Sequence, residues 1–531
     1  MTGERPVAWS TINAGEALPG VVTPLTWSFF GDNVERAFRG AFCDLGVLRA
    51  SEVRAPERRE ERMWDLFLGR AAANLDTFRW LGDLMPGTSA DAIEQQIFGT
   101  VRPGLEDRSS RRRYPAVAAK APLAVARVAA RLRDASAEIR PWWERTTFDA
   151  PPASAAAARA VLAEAARRHE EVMRPHTLAA MLCQSLYEQV RALAERAGRP
   201  GLEIRLVTGY GDMAETDVVA DMWALSRGRL ELEAFLRRHG FHGPNEGELS
   251  ARTWRLRPDP VEALAASYRD LPDEREPRAV EAGRALERRA AEQELLGALA
   301  PVRRPPARLV LALAGRLIPL RGVGKATFLQ CSDVARTAAR ALGRELVADG
   351  VLDDPEDVFM LTLEELLAPV PAPGLREVAA ERRAAHERHL ELDLPESWEG
   401  EPEPRPRGDG RGAREEVVVS GIAVSPGVVE GRARLIVDPD GDEELEPGEV
   451  LVCRTTDPSW ASVMVMASAL VVDIGGPISH GAIVARELGI PCVTGTRTGT
   501  AAIRTGDLVR VDGSKGTVDV LEAVGAQPAP A

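Results

Sequence analysis

Hydrophobic positions are spaced in two different ways along this chain, and the change of spacing divides it. From about residue 50 to 394 apolar residues return every three or four positions among Ala, Leu, Glu and Arg, the pattern of amphipathic helices built from strong helix formers. Ala155 to Arg168, Thr177 to Ala197, Val280 to Leu299 and Val334 to Leu346 show it most clearly. The first 50 residues are different. EALPGVVTPLTWSFF (16–30) places Pro19 and Pro24 among aromatic residues, and the prolines argue against one regular element there. LVTGYGDMAETDVVADMWALSRG (206–228) opens on glycine turns and continues as a helix, whereas HGFHGPNEGELSARTWRL (239–256) reads as a polar loop that lines a surface or a pocket.

Beyond residue 416 the apolar residues form short, Val-rich runs. VVVSGIAVSPGVVEGRARLIV (417–437) reads as strands around a Pro-Gly turn. GEVLVCR (448–454) and ALVVDI (469–474) read as strands, and further strands fall near Pro491–Val493, Asp507–Val511 and Gly516–Val520. Between the two textures lies PESWEGEPEPRPRGDGRG, rich in Pro, Gly and alternating charge, the composition of an extended, mobile linker. The expectation is multidomain: a large, mainly α-helical domain over 1–394, a flexible linker over 395–415, and a compact α/β domain over 416–531 ending in a disordered tail, GAQPAPA.

Composition narrows the function classes. The 531 residues carry 80 Asp and Glu against 67 Lys and Arg, a formal net charge of -13 that disfavours nonspecific nucleic-acid binding. Cys43, Cys183, Cys331, Cys453 and Cys492 form no CxxC pair and read as free thiols in a reducing compartment. No signal peptide stands out, and the longest apolar run, Leu309 to Leu320, is interrupted by Arg316; a cytoplasmic location is expected.

The chemistry concentrates in GGPISHGAIVAR (475–486), which follows the strand ALVVDI and precedes a helix. Gly475 and Gly476 permit a bend or a close approach, Ser479 is suited to cap the helix, and His480 falls in its first turn, where backbone N–H groups point outward and a negative group is favoured. An imidazole there can act as a nucleophile and hold a phosphoryl group against those amides. Arg486 is a phosphate-binding candidate, although six residues at about 100° each place it about 120° around the helix from His480.

GGPISHGAIVARELGIPCV (475–493) resembles the phosphohistidine, or swivelling, domain of phosphoenolpyruvate-utilising enzymes at Gly475, Gly476, Ser479, His480, Ala482, Ile483, Ala485, Arg486, Gly489, Ile490 and Pro491. The turn Gly421, Ser425, Pro426 and Gly427, with Gly431 and Ala433, extends the likeness, and Asp457, Pro458 and Trp460 stand where that family has a loop near the phosphate. NAGEALPGVVTPLTWSFF (13–30) and GVLDDPEDVFMLTLEEL (350–366) resemble the helical acceptor-binding domain of rifampicin phosphotransferase and its synthase-like relatives. The resemblance implies that His480 carries phosphate and that the helical domain holds an alcohol.

Glu16 and Trp27, with His239, His242, Asn245 and Glu246 and the nearby Arg252 and Trp254, are the acceptor-site candidates, His242 and Glu16 among them for catalysis. His242 stands where the related HG-x-R-GP run has arginine. Arg321 and Lys325 are further phosphate candidates. RGVGKAT (321–327) fails as a Walker A loop because Pro319 replaces its first glycine and Ala326 displaces Thr327. Asp212, Glu215 and Asp217, the acidic run Asp353, Asp354, Glu356 and Asp357, and the pair His386 and His389 read as surface charge and caps, so no metal site is assigned. No ATP site is expected in this chain; ATP and Mg2+ belong on a separate ATP-grasp partner. A small hydroxylated molecule is the expected acceptor, with no membrane or nucleic acid. The alternatives are a phosphorylation-dependent dehydratase and a noncatalytic ligand-binding or regulatory protein.

Overall fold

The computed structural model describes residues 5–12, 18, 20–86, 88–98, 101–211, 213–407, 418–436, 445–456, 460–477 and 479–524. Its helices of eight residues or more, in chain order, are α1 (Pro24–Asp44), α2 (Leu75–Leu84), α3 (Ala90–Phe98), α4 (Tyr114–Glu144), α5 (Ala155–Arg196), α6 (Ala214–Ser226), α7 (Leu232–His239), α8 (Asp259–Tyr268), α9 (Pro277–Ala298), α10 (Arg304–Leu317), α11 (Leu320–Ala348), α12 (Leu375–Leu390) and α13 (His480–Leu488). The region up to about residue 390 is helix-rich and the remainder is mixed α/β, as the change in hydrophobic spacing predicts. Among the described residues no helix is long and apolar enough to cross a membrane.

Contacts divide the chain into two units that do not follow its linear order: one of residues 1–180, 245–251 and 323–407, the other of 181–244, 252–322 and 408–531. In the first unit Pro24 does not interrupt structure. It opens α1 at a position whose N–H would have no helical partner, and the Thr23 side chain caps it by accepting from the Thr26 N–H. A four-stranded antiparallel sheet runs β2 (Trp64–Phe67), β3 (Arg70–Asn74), β1 (Ala8–Ser10), β4 (Ser397–Glu399). Strand β4 corrects the mobile-linker expectation for residues 397–399. Trp398 pairs in register with Trp9 and packs its ring 5.1 Å from Phe67, so one aromatic anchor outweighs the polar composition around it.

The second unit joins helices α6–α10 to an eight-stranded sheet. Its order is β5 (Val418–Ser420), β12 (Thr517–Glu522), β11 (Leu508–Asp512), β7 (Val428–Ile436), β8 (Val450–Cys453), β9 (Ala469–Val472), β10 (Cys492–Thr494), β6 (Ile422–Ser425). The four central strands β7 to β10 are parallel. Every residue of β8 and β9 is buried, which is why their sequences read as unbroken apolar runs rather than alternating ones. Helix α13 makes the crossover from β9 to its parallel neighbour β10, so its N-terminus lies beyond the carboxyl ends of the parallel strands, where such sheets leave a crevice. One hydrophobic core includes Trp223 and Tyr268 from the helices and Trp254 from the turn between α7 and α8, together with Trp460, Met464 and Leu470 from the α/β region.

Candidate functional site

His480 is the first residue of α13, and Ser479 caps the helix by accepting the Ala482 N–H at 3.4 Å. The turn before it is fixed from several sides. Ser479 N–H donates to the Gly476 carbonyl at 3.0 Å, and Arg486 Nη1 donates to the Pro477 carbonyl at 2.6 Å. Arg486, proposed from sequence as a phosphate ligand, therefore holds the turn in this conformation; burial pulls its guanidinium pKa below the usual range. A methyl group on Gly475 would collide with Thr494 and Ser479, which accounts for glycine there, whereas Gly476 faces open space.

The imidazole faces one hydroxyl group at the end of a neighbouring strand. Nδ1 lies 3.5 Å from Thr456 Oγ1, beyond the end of β8, and a Cβ on Gly481 would approach that same oxygen to 2.8 Å. Beyond β9, Asp473 accepts hydrogen bonds from Thr496 Oγ1 and Gly499 N–H, both at 2.6 Å, and ties down the segment after β10. Thr456 and Gly481 were not singled out by sequence. Thr456 immediately precedes the proposed phosphate loop, of which Asp457 and Pro458 lie outside the described residues while Trp460 packs in the core.

The helix pattern predicts an exposed His480 with Ile483, Val484 and Leu488 anchoring the opposite face. Instead every residue from His480 to Glu487 is buried, and His480 retains only 4% of its surface. The physical reason is that α13 packs both on the sheet, at β6 and β10, and on α9 and the short helix Trp460–Met464.

The acceptor candidates separate. In the first unit, Trp27 stands on α1 beside Gly31, and Glu246 is buried with Lys325 Nζ 3.9 Å from its carboxylate. Asn245 adopts a left-handed backbone with φ 54°. Glu16 lies outside the described residues. Glu248, which sequence reading passed over, accepts hydrogen bonds from Thr23 Oγ1 at 2.7 Å and Thr26 Oγ1 at 2.6 Å and so ties the loop to the start of α1. An open cleft of about 410 Å³ in this unit, lined in part by Arg39, Arg54, Asp76 and Trp80, contains none of the predicted residues.

In the second unit, His239 and Trp254 are buried and Arg252 is exposed. His239 Nε2 lies 2.8 Å from Asp221 Oδ2; burial lowers the imidazole pKa, and the carboxylate only partly counteracts it. His242 is buried 4.2 Å from the Phe241 ring centroid and 5.8 Å from that of Trp254. The stretch 239–256 is thus largely an interior segment, not a polar surface loop, because its histidines and aromatic residues pack on one another. Asp212 lies outside the described residues, and Asp217 pairs with Arg278 at 2.5 Å. Among the described residues no group of three or more His, Cys, Asp or Glu is placed to hold a metal ion.

Residues 445–516 match the family described as PEP-utilising enzyme, mobile domain, and residues 228–322 match the fourth domain of rifampicin phosphotransferase. An uncharacterised protein of Mycobacterium tuberculosis (strain ATCC 25618 / H37Rv) is 32% identical over 345 residues, 63% of this chain and 36% of the relative. Rifampicin phosphotransferase of Streptomyces sviceus is 30% identical over 325 residues, covering 60% of this chain and 37% of that protein. The enzyme of the same name from Bacillus cereus is 37% identical over 183 residues, covering 33% and 20%. The chain therefore matches 37% or less of the length of each of these relatives. Over its two matched segments it is homologous to the phosphohistidine-bearing mobile domain of PEP-utilising enzymes and to the fourth domain of rifampicin phosphotransferase, and neither segment is an ATP-grasp domain.

Proposed function

We propose that this chain carries a phosphoryl group on His480 from a separate ATP-grasp protein, which holds ATP and Mg2+, to a hydroxyl of a small molecule. The observation that carries the reading is the placement of His480 at the capped start of α13, beyond the ends of parallel strands, with Nδ1 facing Thr456. The ring nitrogen away from Thr456, Nε2, is the nucleophile: its lone pair attacks phosphorus, a P–N bond forms, and the P–O bond to the donor breaks. The first-turn amides of α13 offset the added negative charge. In the second transfer the acceptor oxygen attacks phosphorus, the P–N electron pair returns to Nε2, and a base takes the hydroxyl proton. His242 is the candidate base; its burial means that it meets an acceptor only after the second unit opens.

The test is incubation with a candidate ATP-grasp protein and ATP labelled in turn at each phosphate, followed by intact-mass analysis. Acid-labile phosphate on the wild type and none on His480→Ala is expected. Phosphate that persists on His480→Ala overturns the site. Product analysis then separates a phosphorylated product from an elimination product.

The enclosure of His480 favours one competing reading, a ligand-binding protein without turnover. That reading expects no phosphate on the wild type under conditions that phosphorylate the donor protein itself.

A further inference from the structure

Seven residues beyond His480, at the other end of α13, Glu487 is 3% exposed and its carboxylate accepts the Gly209 N–H, at 2.9 Å to one oxygen and 3.1 Å to the other. The contact joins the α/β region to the segment before α6. Gly209 has φ 69°, and a side chain there would collide with the backbone of Arg284 and Ala285, so the segment is pressed onto α9. Arg288 Nε donates to the Gly209 carbonyl at 3.2 Å and fixes the peptide from its other side. The Arg284 side chain lies against Gly489, the left-handed residue that ends α13.

The charged and titratable groups facing Glu487 are Arg486 on α13, Glu281, Arg284 and Arg288 on α9, and Tyr210 beside Gly209. Each cation is engaged elsewhere: Arg486 with the Pro477 carbonyl, Arg284 with Glu287 at 2.7 Å, and Arg288 with Glu292 at 2.5 Å. Among the described residues no basic group stands at ion-pair distance from Glu487. A buried carboxylate that receives one peptide N–H is poorly compensated as an anion. Burial pushes its pKa up to about 7, against the opposing effects of the Gly209 N–H and Arg486.

We infer that Glu487 is a proton-dependent latch: protonated, it keeps the His480-bearing domain docked on the helices of its own unit, and its ionisation favours release and exposure of His480. This rests on the carrier reading for its purpose, because a carrier must leave the enclosed state to meet donor and acceptor. The docked state raises the pKa relative to a solvated glutamate near 4.3. It therefore binds more protons than the released state between about pH 4.3 and 7, and docking weakens as pH rises through that window. Above it the equilibrium levels off.

Hydrogen exchange of the full chain between pH 5 and 8, corrected for the intrinsic rate, tests this directly because the Gly209 amide is part of the latch. Protection of the 206–211 peptide and of peptides over 479–488 is expected to fall by up to about tenfold per pH unit below pH 7 and then to flatten. In Glu487→Gln, which keeps an acceptor for Gly209 but cannot ionise, both profiles should be flat. A flat wild-type profile overturns the latch, as does a Glu487→Gln profile with the wild-type slope. A slope at 206–211 without one at 479–488 overturns the release step. The wild-type profile suffices if the variant fails to fold. No phosphoryl transfer enters the measurement: a flat profile with labelled His480 removes only the latch, and a sloped profile with unlabelled His480 removes only the carrier.

Discussion

Two buried histidines on helices, one in each unit, have opposite surroundings. His169, midway along α5, is fully enclosed, with its ring centroid 5.0 Å from that of Phe29, 4.7 Å from Phe30 and 5.8 Å from Phe328. Neither of its nitrogens has a hydrogen-bond partner among the described residues. His480 is almost as buried, but it stands at a helix start with Thr456 beside Nδ1 and strand ends around it. Burial is common to both. What differs is whether the ring meets a place where charge can develop, and a mid-helix position between phenylalanines offers none, since the backbone amides there are already used by the helix.

The largest expected difference between them is all-or-none. His480→Gln should abolish phosphohistidine formation, whereas His169→Leu should leave it intact when both variants are loaded by the same donor and read by intact mass. Label lost from both would show that phosphoryl transfer depends on the integrity of the phenylalanine-lined core as well as on the motif.

Stability should show the reverse. His169→Ala leaves a hole among the three phenylalanine rings and should cost about 3 kcal/mol in urea unfolding. His169→Leu fills most of that space without two buried polar atoms and should be at least as stable as the wild type. A His169→Leu variant as unstable as His169→Ala would mean that the imidazole nitrogens matter to the fold after all.

A smaller effect follows from protonation. Burial, with a further contribution from His176, lowers the His169 pKa to about 3. An unfolded chain takes up a proton at this residue near pH 6.5, while the folded one resists it until about pH 3. The unfolded state thus binds more protons through that window, and stability falls as pH falls, by up to about 1.4 kcal/mol per unit. The wild-type minus His169→Leu difference, measured by urea unfolding at pH 7, 6 and 5, should carry that slope, and parallel profiles would contradict it.

The contrast also explains what the sequence made legible. Most of the His480 site is written within Gly475–Pro491 and its two flanking strands, a contiguous βαβ crossover whose glycines, cap and apolar runs are local signals, whereas Thr456 comes from beyond β8 and carries no such signal. The helices were legible too, although Thr177–Ala197 proved to be part of one helix from Ala155 to Arg196 that accommodates Pro175. Long-range pairings were not. Nothing local in WEGEPEPRP announces that Trp398 will sit opposite Trp9, or in LVTGYG that Gly209 will offer its amide to Glu487. The stretch 239–256 misleads for a related reason: His, Asn and Gly are turn formers in any setting, and only tertiary contacts decide that His242 and Glu246 are covered.

The smallest prediction sets one substitution against itself on the two helices. Ser479 caps α13, and Ser479→Ala removes the acceptor for the Ala482 N–H, which should cost about 1 kcal/mol. Ser185, exposed on α5, makes a side-chain contact with Gln189 at 3.3 Å, and alanine is the better helix former at such a position, so Ser185→Ala should be neutral or stabilising by about 0.5 kcal/mol. Ser479→Asn, which keeps a capping oxygen, should recover most of the loss. Opposite signs for the two alanine variants would place the energetic importance of α13 at its first turn, where His480 stands. Equal small effects would mean that packing of the buried helix alone holds that turn, and that the cap contributes nothing to presenting the imidazole.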